Sequence, residues 1–166
     1  ITILDSAGRS RGAGFLISAN GHIYTPDYVF KVAEDIQIKW ENKTFQAKVI
    51  QRNPEQGTAL LKIDGDKFPF LDVSQINSIS YQEKVFALIS DEDLGLTLSS
   101  GQVTGLDVKM NGMEAQSFIA TDLQSSRGSG GSPVVNANGQ VIGAIYAIKK
   151  DRTATIITPA SLIYSL

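Results

Sequence analysis

The chain has 166 residues, with no cysteine, one histidine, fifteen glycines, five prolines and a formal net charge of −2. The absence of cysteine excludes disulfide scaffolds, thiol catalysis and cysteine-ligated metal clusters, and one histidine excludes a multi-histidine metal site within a subunit. The near-neutral balance leaves no electrostatic footprint for nucleic acid.

With 42% hydrophobic and 19% charged residues, the composition suits one globular domain or two small lobes sharing an interface. No apolar run approaches the ~20 residues of a membrane span. The chain opens without a basic-then-apolar leader, and the lack of cysteine suits an oxidising envelope and a cytoplasm equally.

Strands carry the periodicity. Residues 12–18 and 22–25 are predicted strands around the turn Ala19-Asn20-Gly21, because Asn-Gly tolerates the positive φ of a tight hairpin. Residues 36–40 alternate apolar and polar, 41–43 turn, and 44–50 form the next strand. The continuous apolar run 59–63 predicts a strand buried on both faces. Residues 64–80, with Asp-Gly-Asp and Pro69, have the texture of a linker. Further strands are expected at 84–89, 101–106, 117–121, 133–136, 140–148 and 153–158, with turns at Asn111-Gly112 and Asn138-Gly139. Residues 160–166, after Pro159, begin a helix. Short strands with turn signals every ~8–12 residues predict an all-β protein. The expected organisation is an N-terminal β-barrel lobe over 1–66, a linker over 67–80, and a C-terminal barrel lobe with a terminal helix over 81–166. Asp91-Glu92-Asp93 is expected as a solvated acidic loop, and Trp40, Phe45 and Tyr81 as barrel core or lobe packing.

Four segments carry a resemblance. Gly12-Ala13-Gly14-Phe15-Leu16-Ile17 is followed by Asn20-Gly21-His22-Ile23-Tyr24-Thr25-Pro26-Asp27-Tyr28-Val29. Arg52-Asn53-Pro54-Glu55-Gln56-Gly57-Thr58-Ala59-Leu60-Leu61-Lys62-Ile63 comes next, then Leu96-Thr97-Leu98-Ser99-Ser100-Gly101-Gln102-Val103-Thr104. The fourth runs from Ile119-Ala120-Thr121-Asp122 through Gly128-Ser129-Gly130-Gly131-Ser132-Pro133 to Asn138-Gly139-Gln140-Val141-Ile142-Gly143. At this spacing the chain resembles the trypsin-like protease domain of the HtrA (Do-like) family, which implies a trypsin/chymotrypsin-like double β-barrel with a short C-terminal helix.

The chemistry departs from that family. Hydrolysis of this type uses a serine nucleophile, a histidine base and an aspartate that orients the histidine. Carried over residue by residue, the histidine position falls on Tyr28, the aspartate position on Gly57 and the serine position on Gly130. A tyrosine with an ordinary pKa near ~10 is a poor base at neutral pH, and neither glycine carries a functional group. Loss of one member of such a triad costs a factor of ~10⁴ or more in turnover. Ser129-Gly130-Gly131 admits a shifted register with Ser129 as nucleophile, but it needs a compensating deletion upstream and leaves Ser129 without a histidine; a polar residue in a tight glycine turn is the plainer reading.

His22 stands six positions before Tyr28, on the same strand face as Tyr24, and reads as a structural or surface histidine, with a metal contact and a catalytic role as the lesser readings. As a metal contact it would need Asp27, Glu34 or a second subunit. Arg127 occupies the place of the family's usual proline beside the former oxyanion loop; a ligand for an acidic group, a plug and a solvated side chain are its three readings. Arg127, Gly128, Ser129 and Gly131 are the candidate binding residues, their backbone N–H groups forming an anion nest.

The resemblance therefore implies an inactive relative, a pseudoprotease acting as a protein- or peptide-binding or regulatory module with no cofactor. Its expected partner is a protein or peptide, an active protease paralogue among the candidates, and a homo-oligomer is a further possibility. The compartment implied is the periplasm or cell envelope. Two alternatives stand beside it: a metal-binding or assembly module of a larger envelope or magnetosome-type membrane protein, and a residual serine hydrolase using Ser129.

Overall fold

The computed structural model describes residues 1–32, 35–74, 78–91, 95–148 and 153–166. Seven strands build the first lobe: β1 (Thr2–Asp5), β2 (Ser10–Ala13), β3 (Phe15–Leu16), β4 (His22–Pro26), β5 (Ile36–Trp40), β6 (Lys43–Asn53) and β7 (Thr58–Ile63). They pair antiparallel in the order β2-β1-β5-β6-β7-β4-β3. Six more form the second lobe: β8 (Lys84–Asp91), β9 (Gly95–Val108), β10 (Phe118–Thr121), β11 (Pro133–Asn136), β12 (Val141–Ile148) and β13 (Thr155–Pro159). These close into a barrel in the order β10-β13-β12-β11-β8-β9. A short helix, α1 (Ala160–Tyr164), follows. The molecule is a double β-barrel of the trypsin/chymotrypsin kind, all-β apart from that helix.

Alternation explains the first lobe. In β5, Ile36 and Ile38 point into the core while Lys39 faces out. They meet Ile3, Ile23, Leu61 and Ile63, so isoleucine and leucine side chains, which suit a pleated surface, make up much of the core beside Phe30 and Phe68. The apolar run in β7 is buried on both faces, as its continuity predicts. Trp40 and Phe45 close the lobe with Phe68, their ring centroids 5.6–6.5 Å apart. Tyr81 corrects the expectation for the third aromatic: it is 62% exposed and packs into neither barrel.

Two boundaries differ from the sequence pattern. The predicted strand 12–18 is broken at Gly14, where the Tyr24 carbonyl leaves no room for a side chain. The chain turns a barrel corner there, so β2 pairs with β1 while β3 pairs with β4. Strand β1 itself escapes the pattern because it is only four residues long. The strand expected at 101–106 is the far half of the 14-residue β9.

The lobes are held together by a third apolar cluster. Phe15 and Tyr24 from the first lobe pack on Val141 and Ala144 of β12, with Val73 from the connecting segment and Ala160 and Ile163 from α1. Strand β12 thus serves two cores, since Ile142 and Ile145 face the second barrel. This arrangement fixes β12 opposite the loops of the first lobe.

Candidate functional site in the interlobe cleft

Pro26 ends β4, and the chain enters a 3₁₀ turn over Asp27–Val32. That turn is pinned at its start. The Asp27 N–H donates to the Gly57 carbonyl at 3.0 Å, and the Asp27 carboxylate accepts two bonds from the Arg52 guanidinium, at 2.6 and 3.0 Å. Arg52 also lies over the Phe30 ring, 4.7 Å from its centre. The fork ties the turn to the β6–β7 hairpin and aims Tyr28 across the cleft.

Tyr28, Gly57 and Gly130 do come together, through two tyrosines. The Tyr28 hydroxyl sits against the Gly130 backbone, in the space a Cβ on residue 130 would need. Tyr146, on β12, meets Tyr28 edge-on with ring centroids 5.6 Å apart. Its ring covers Gly57: a Cβ there would lie 2.6 Å from Tyr146 Cε2 and 2.8 Å from Met113 Cε. The Tyr146 hydroxyl donates to Met113 Sδ at 3.2 Å. Gly57 is in the left-handed region, with φ of 68°, which glycine tolerates and other residues adopt at a cost.

Burial pushes the Tyr28 phenol up to about 12, with Tyr146 adding to the shift. Burial likewise raises Tyr146, with the Asp27 carboxylate contributing. Both phenols therefore stay protonated at neutral pH and offer hydrogen-bond donors, not bases.

The glycine-rich loop follows. Ser129 is 1% exposed, and both its N–H and its hydroxyl donate to the Ser126 carbonyl, at 3.3 and 2.7 Å. Ser132 is buried as well, its carbonyl accepting from the Ile145 N–H at 2.9 Å. The Gly131 N–H donates to Ile145 O at 2.7 Å, and the Gly130 carbonyl accepts from the Ala13 N–H at 2.8 Å. These bonds stitch the loop to both lobes. Arg127 and Gly128 are exposed at its rim. Tyr28, the 125–130 loop and the Ile145–Ile148 end of β12 enclose a cavity of about 460 Å³.

His22 lies elsewhere. Its Nδ1 is 2.8 Å from Asn20 Oδ1 and 3.0 Å from Ser18 Oγ, so the ring braces the Ala19-Asn20-Gly21 turn. The two side chains considered as its metal partners are otherwise placed: the Asp27 carboxylate is held by Arg52, and Glu34 is outside the described residues. Among the described residues no three His, Cys, Asp or Glu side chains group as a metal site. Of the acidic loop, Asp91 ends β8, and Glu92 and Asp93 lie outside the described residues.

Tyr146 is the site residue that motif reading passes over. It sits in an ordinary apolar strand, and only the fold shows that its ring covers Gly57. Asp27 and Arg52 lie inside the motif segments, yet nothing in their spacing of 25 residues announces a pair.

Two antiparallel barrels, with a turn after β4, the β6–β7 hairpin and a glycine-rich loop converging between them, define a trypsin-like protease scaffold. The family model of the trypsin-like peptidase domain matches residues 12–143, and the chain belongs to that family. A Pseudomonas fluorescens protein named probable periplasmic serine endoprotease DegP-like is 32% identical over 136 residues, covering 81% of this chain and 29% of its own length. The chain thus spans less than a third of that relative. Among solved structures, the HtrA-type protease AlgW with decapeptide superposes with a TM-score of 0.84 at 25% identity, over 93% of this chain and 50% of that one. The MamO protease domain from Magnetospirillum magneticum superposes with a TM-score of 0.78 at 22% identity, over 93% and 86%, a likeness of fold. This is an HtrA-like trypsin-fold domain.

Proposed function

We propose that this domain is a pseudoprotease, an HtrA-like scaffold that binds a peptide or protein segment in the interlobe cleft without cleaving it. Residues 1–66 and 81–166 are its two lobes in this reading, joined by 67–80. One observation carries it: the Tyr28 hydroxyl fills the volume that a nucleophile side chain at position 130 would occupy. Tyr146 and Met113 fill the volume of an aspartate side chain at position 57 in the same way. Substitution has been matched by packing, so the cleft is specialised for something other than acyl transfer. The remaining serine of the loop, Ser129, is buried with its hydroxyl engaged, which speaks against a residual hydrolase.

Binding is supported by the shape of the wall. Strand β11 pairs with β12 only as far as Ala144, so the Tyr146–Ile148 backbone borders the cavity as an edge able to take an extended segment. The structural neighbour solved with a decapeptide supports a peptide as the ligand class. Relatives named as periplasmic support the periplasm or envelope as the compartment.

A serine-reactive fluorophosphonate probe tests the reading. The expected result is no labelling of the folded domain and no release of peptides from casein. Stoichiometric labelling at Ser129 or Ser132 overturns it.

A further inference from the structure

Of Trp40, Phe45 and Tyr81, only Tyr81 stays outside both cores, and it borders a cavity of about 630 Å³ at one end of the second lobe. Strand β11 separates this cavity from the interlobe cleft. Its Pro133 end leaves the glycine-rich loop, and its Asn136 end opens the turn over 136–140 that borders the cavity. Asn136 pairs with Val85 on β8, so that turn lies beside the turn over 80–83 that carries Tyr81.

Both turns are pinned. The Glu83 N–H donates to the Ser80 carbonyl at 3.1 Å, and the Ser80 N–H donates to the Glu83 carboxylate at 2.9 Å. The Gln82 N–H donates to the Val103 carbonyl and the Val103 N–H to the Glu83 carbonyl, both at 2.9 Å. On the facing turn, Asn136 Oδ1 accepts the Asn138 and Gln140 N–H groups at 3.0 and 3.1 Å. Its Nδ2 donates to Gln140 Oε1 at 3.0 Å. The Tyr81 ring and the Gln82, Asn138 and Gln140 amides are thus carried on backbone that is already ordered before any ligand arrives.

The lining joins one aromatic face, 62% exposed, to side-chain amides and serine hydroxyls, groups that both donate and accept. A pyranose ring has the matching surface, with C–H groups on its face and hydroxyls around its edge. A peptide draws instead on a strand edge or on pockets for its side chains. We propose that this cavity is a saccharide site, in which a neutral pyranose stacks on Tyr81 and its hydroxyls bond the Gln82, Asn138 and Gln140 amides. N-acetylated sugars and plain hexoses share that chemistry. The site is separate from the cleft and does not rest on the pseudoprotease reading.

The test is an amide-resolved NMR titration of the whole domain with triacetylchitotriose, with maltotriose and, for comparison, with amidated Ala-Val-Ala-Val-Ala-Val. A saccharide should shift the backbone amides of the 80–83 and 136–140 turns. Shifts with triacetylchitotriose alone assign an N-acetylated sugar, and shifts with maltotriose assign a ring recognised through its hydroxyls. Tyr81→Ala should weaken binding about ten-fold or more, and Tyr81→Phe, which keeps the aromatic face, less than about three-fold. Asn138→Ala should weaken it about five-fold, the loss of one hydrogen bond. The Tyr81 and Asn138 side chains are exposed, so the melting temperatures of these variants should stay close to wild type.

Unmoved turns with both saccharides at about 20 mM, where a site with a Kd near 1 mM is almost full, overturn the proposal. Saccharide binding that Tyr81→Ala leaves at wild-type strength overturns it too. Shifts at these turns with the peptide alone also overturn it and assign the cavity to a protein partner.

Discussion

The Tyr28 hydroxyl and the Gly130 backbone are in mutual contact at the spot where a side chain on residue 130 would begin. The two positions are therefore coupled: glycine at 130 is what allows a tyrosine at 28, and the tyrosine is what fills the space the glycine leaves. Gly130→Ser forces the phenol out of its packing against Tyr146 and the first core. The expected cost is about 1–3 kcal/mol, as for other overpacked sites, or a fall of roughly 2–10 °C in melting temperature for a domain of this size. Tyr28→Ala/Gly130→Ser should be less destabilised than the sum of the single variants. Additive single effects in a thermal-melt double-mutant cycle would show that the positions do not touch in solution.

On the pseudoprotease reading, placing histidine, aspartate and serine at positions 28, 57 and 130 does not by itself build a working triad. In Tyr28→His/Gly57→Asp/Gly130→Ser, the new aspartate must enter space held by Tyr146 and Met113 and must adopt a φ of 68°. The triple variant should hydrolyse casein no faster than wild type. Activity is expected only when Tyr146→Ala is added, because that change opens the volume beside position 57. Equal rates for the triple and quadruple variants would remove Tyr146 from the explanation.

Asp5 provides the acid-sensitive element of the first lobe. Its nearly inaccessible carboxylate accepts the backbone N–H groups of Ala7 and Arg9, both at 2.9 Å, and the Arg9 and Arg11 guanidinium groups. The Arg9 N–H, followed by the Arg11 and Arg9 side chains, holds its pKa down at about 2. An unfolded aspartate titrates near ~3.9, so the stabilisation is complete above that value and is lost as pH falls from about 4 through 2. Melting temperatures from pH 6 to 2 should drop for wild type more steeply than for Asp5→Asn, which starts lower. Parallel curves would assign the acid sensitivity to other groups.

Arg52 is predicted to be structural, and its loss to be felt at Tyr28. Removing it strands the Asp27 carboxylate, whose side chain is 8% exposed, and deletes the stacking on Phe30. Arg52→Ala should cost about 2–3 kcal/mol in urea unfolding, the range for uncovering a buried carboxylate. Arg52→Lys should recover only part, since an ammonium cannot reproduce the two-point fork. Full recovery by lysine would mean that charge alone suffices.

Most of the architecture was legible in the residues. Alternation in β5, the continuous run in β7 and the Asn-Gly turns mark strands by a period of two and by turn chemistry, both local properties. The motif segments, ending in Gly128-Ser129-Gly130-Gly131-Ser132-Pro133, carried the family and the identities of Tyr28, Gly57 and Gly130. Less legible were the break at Gly14 and the exposure of Tyr81, because each depends on what packs opposite and not on the neighbours in the chain.

The sequence by itself determined that a tyrosine stands at 28 and glycines at 57 and 130 within the motif segments, neither glycine having a side chain to fill the space around it, since that depends only on residue identity and spacing. Only the tertiary structure decided what occupies the space. Tyr146 reaches Gly57 from β12 and Tyr28 reaches Gly130 from the turn after β4, across 89 and 102 residues of chain respectively. No periodicity encodes such a match, because the requirement to fill a volume arises only once two distant segments have been packed together.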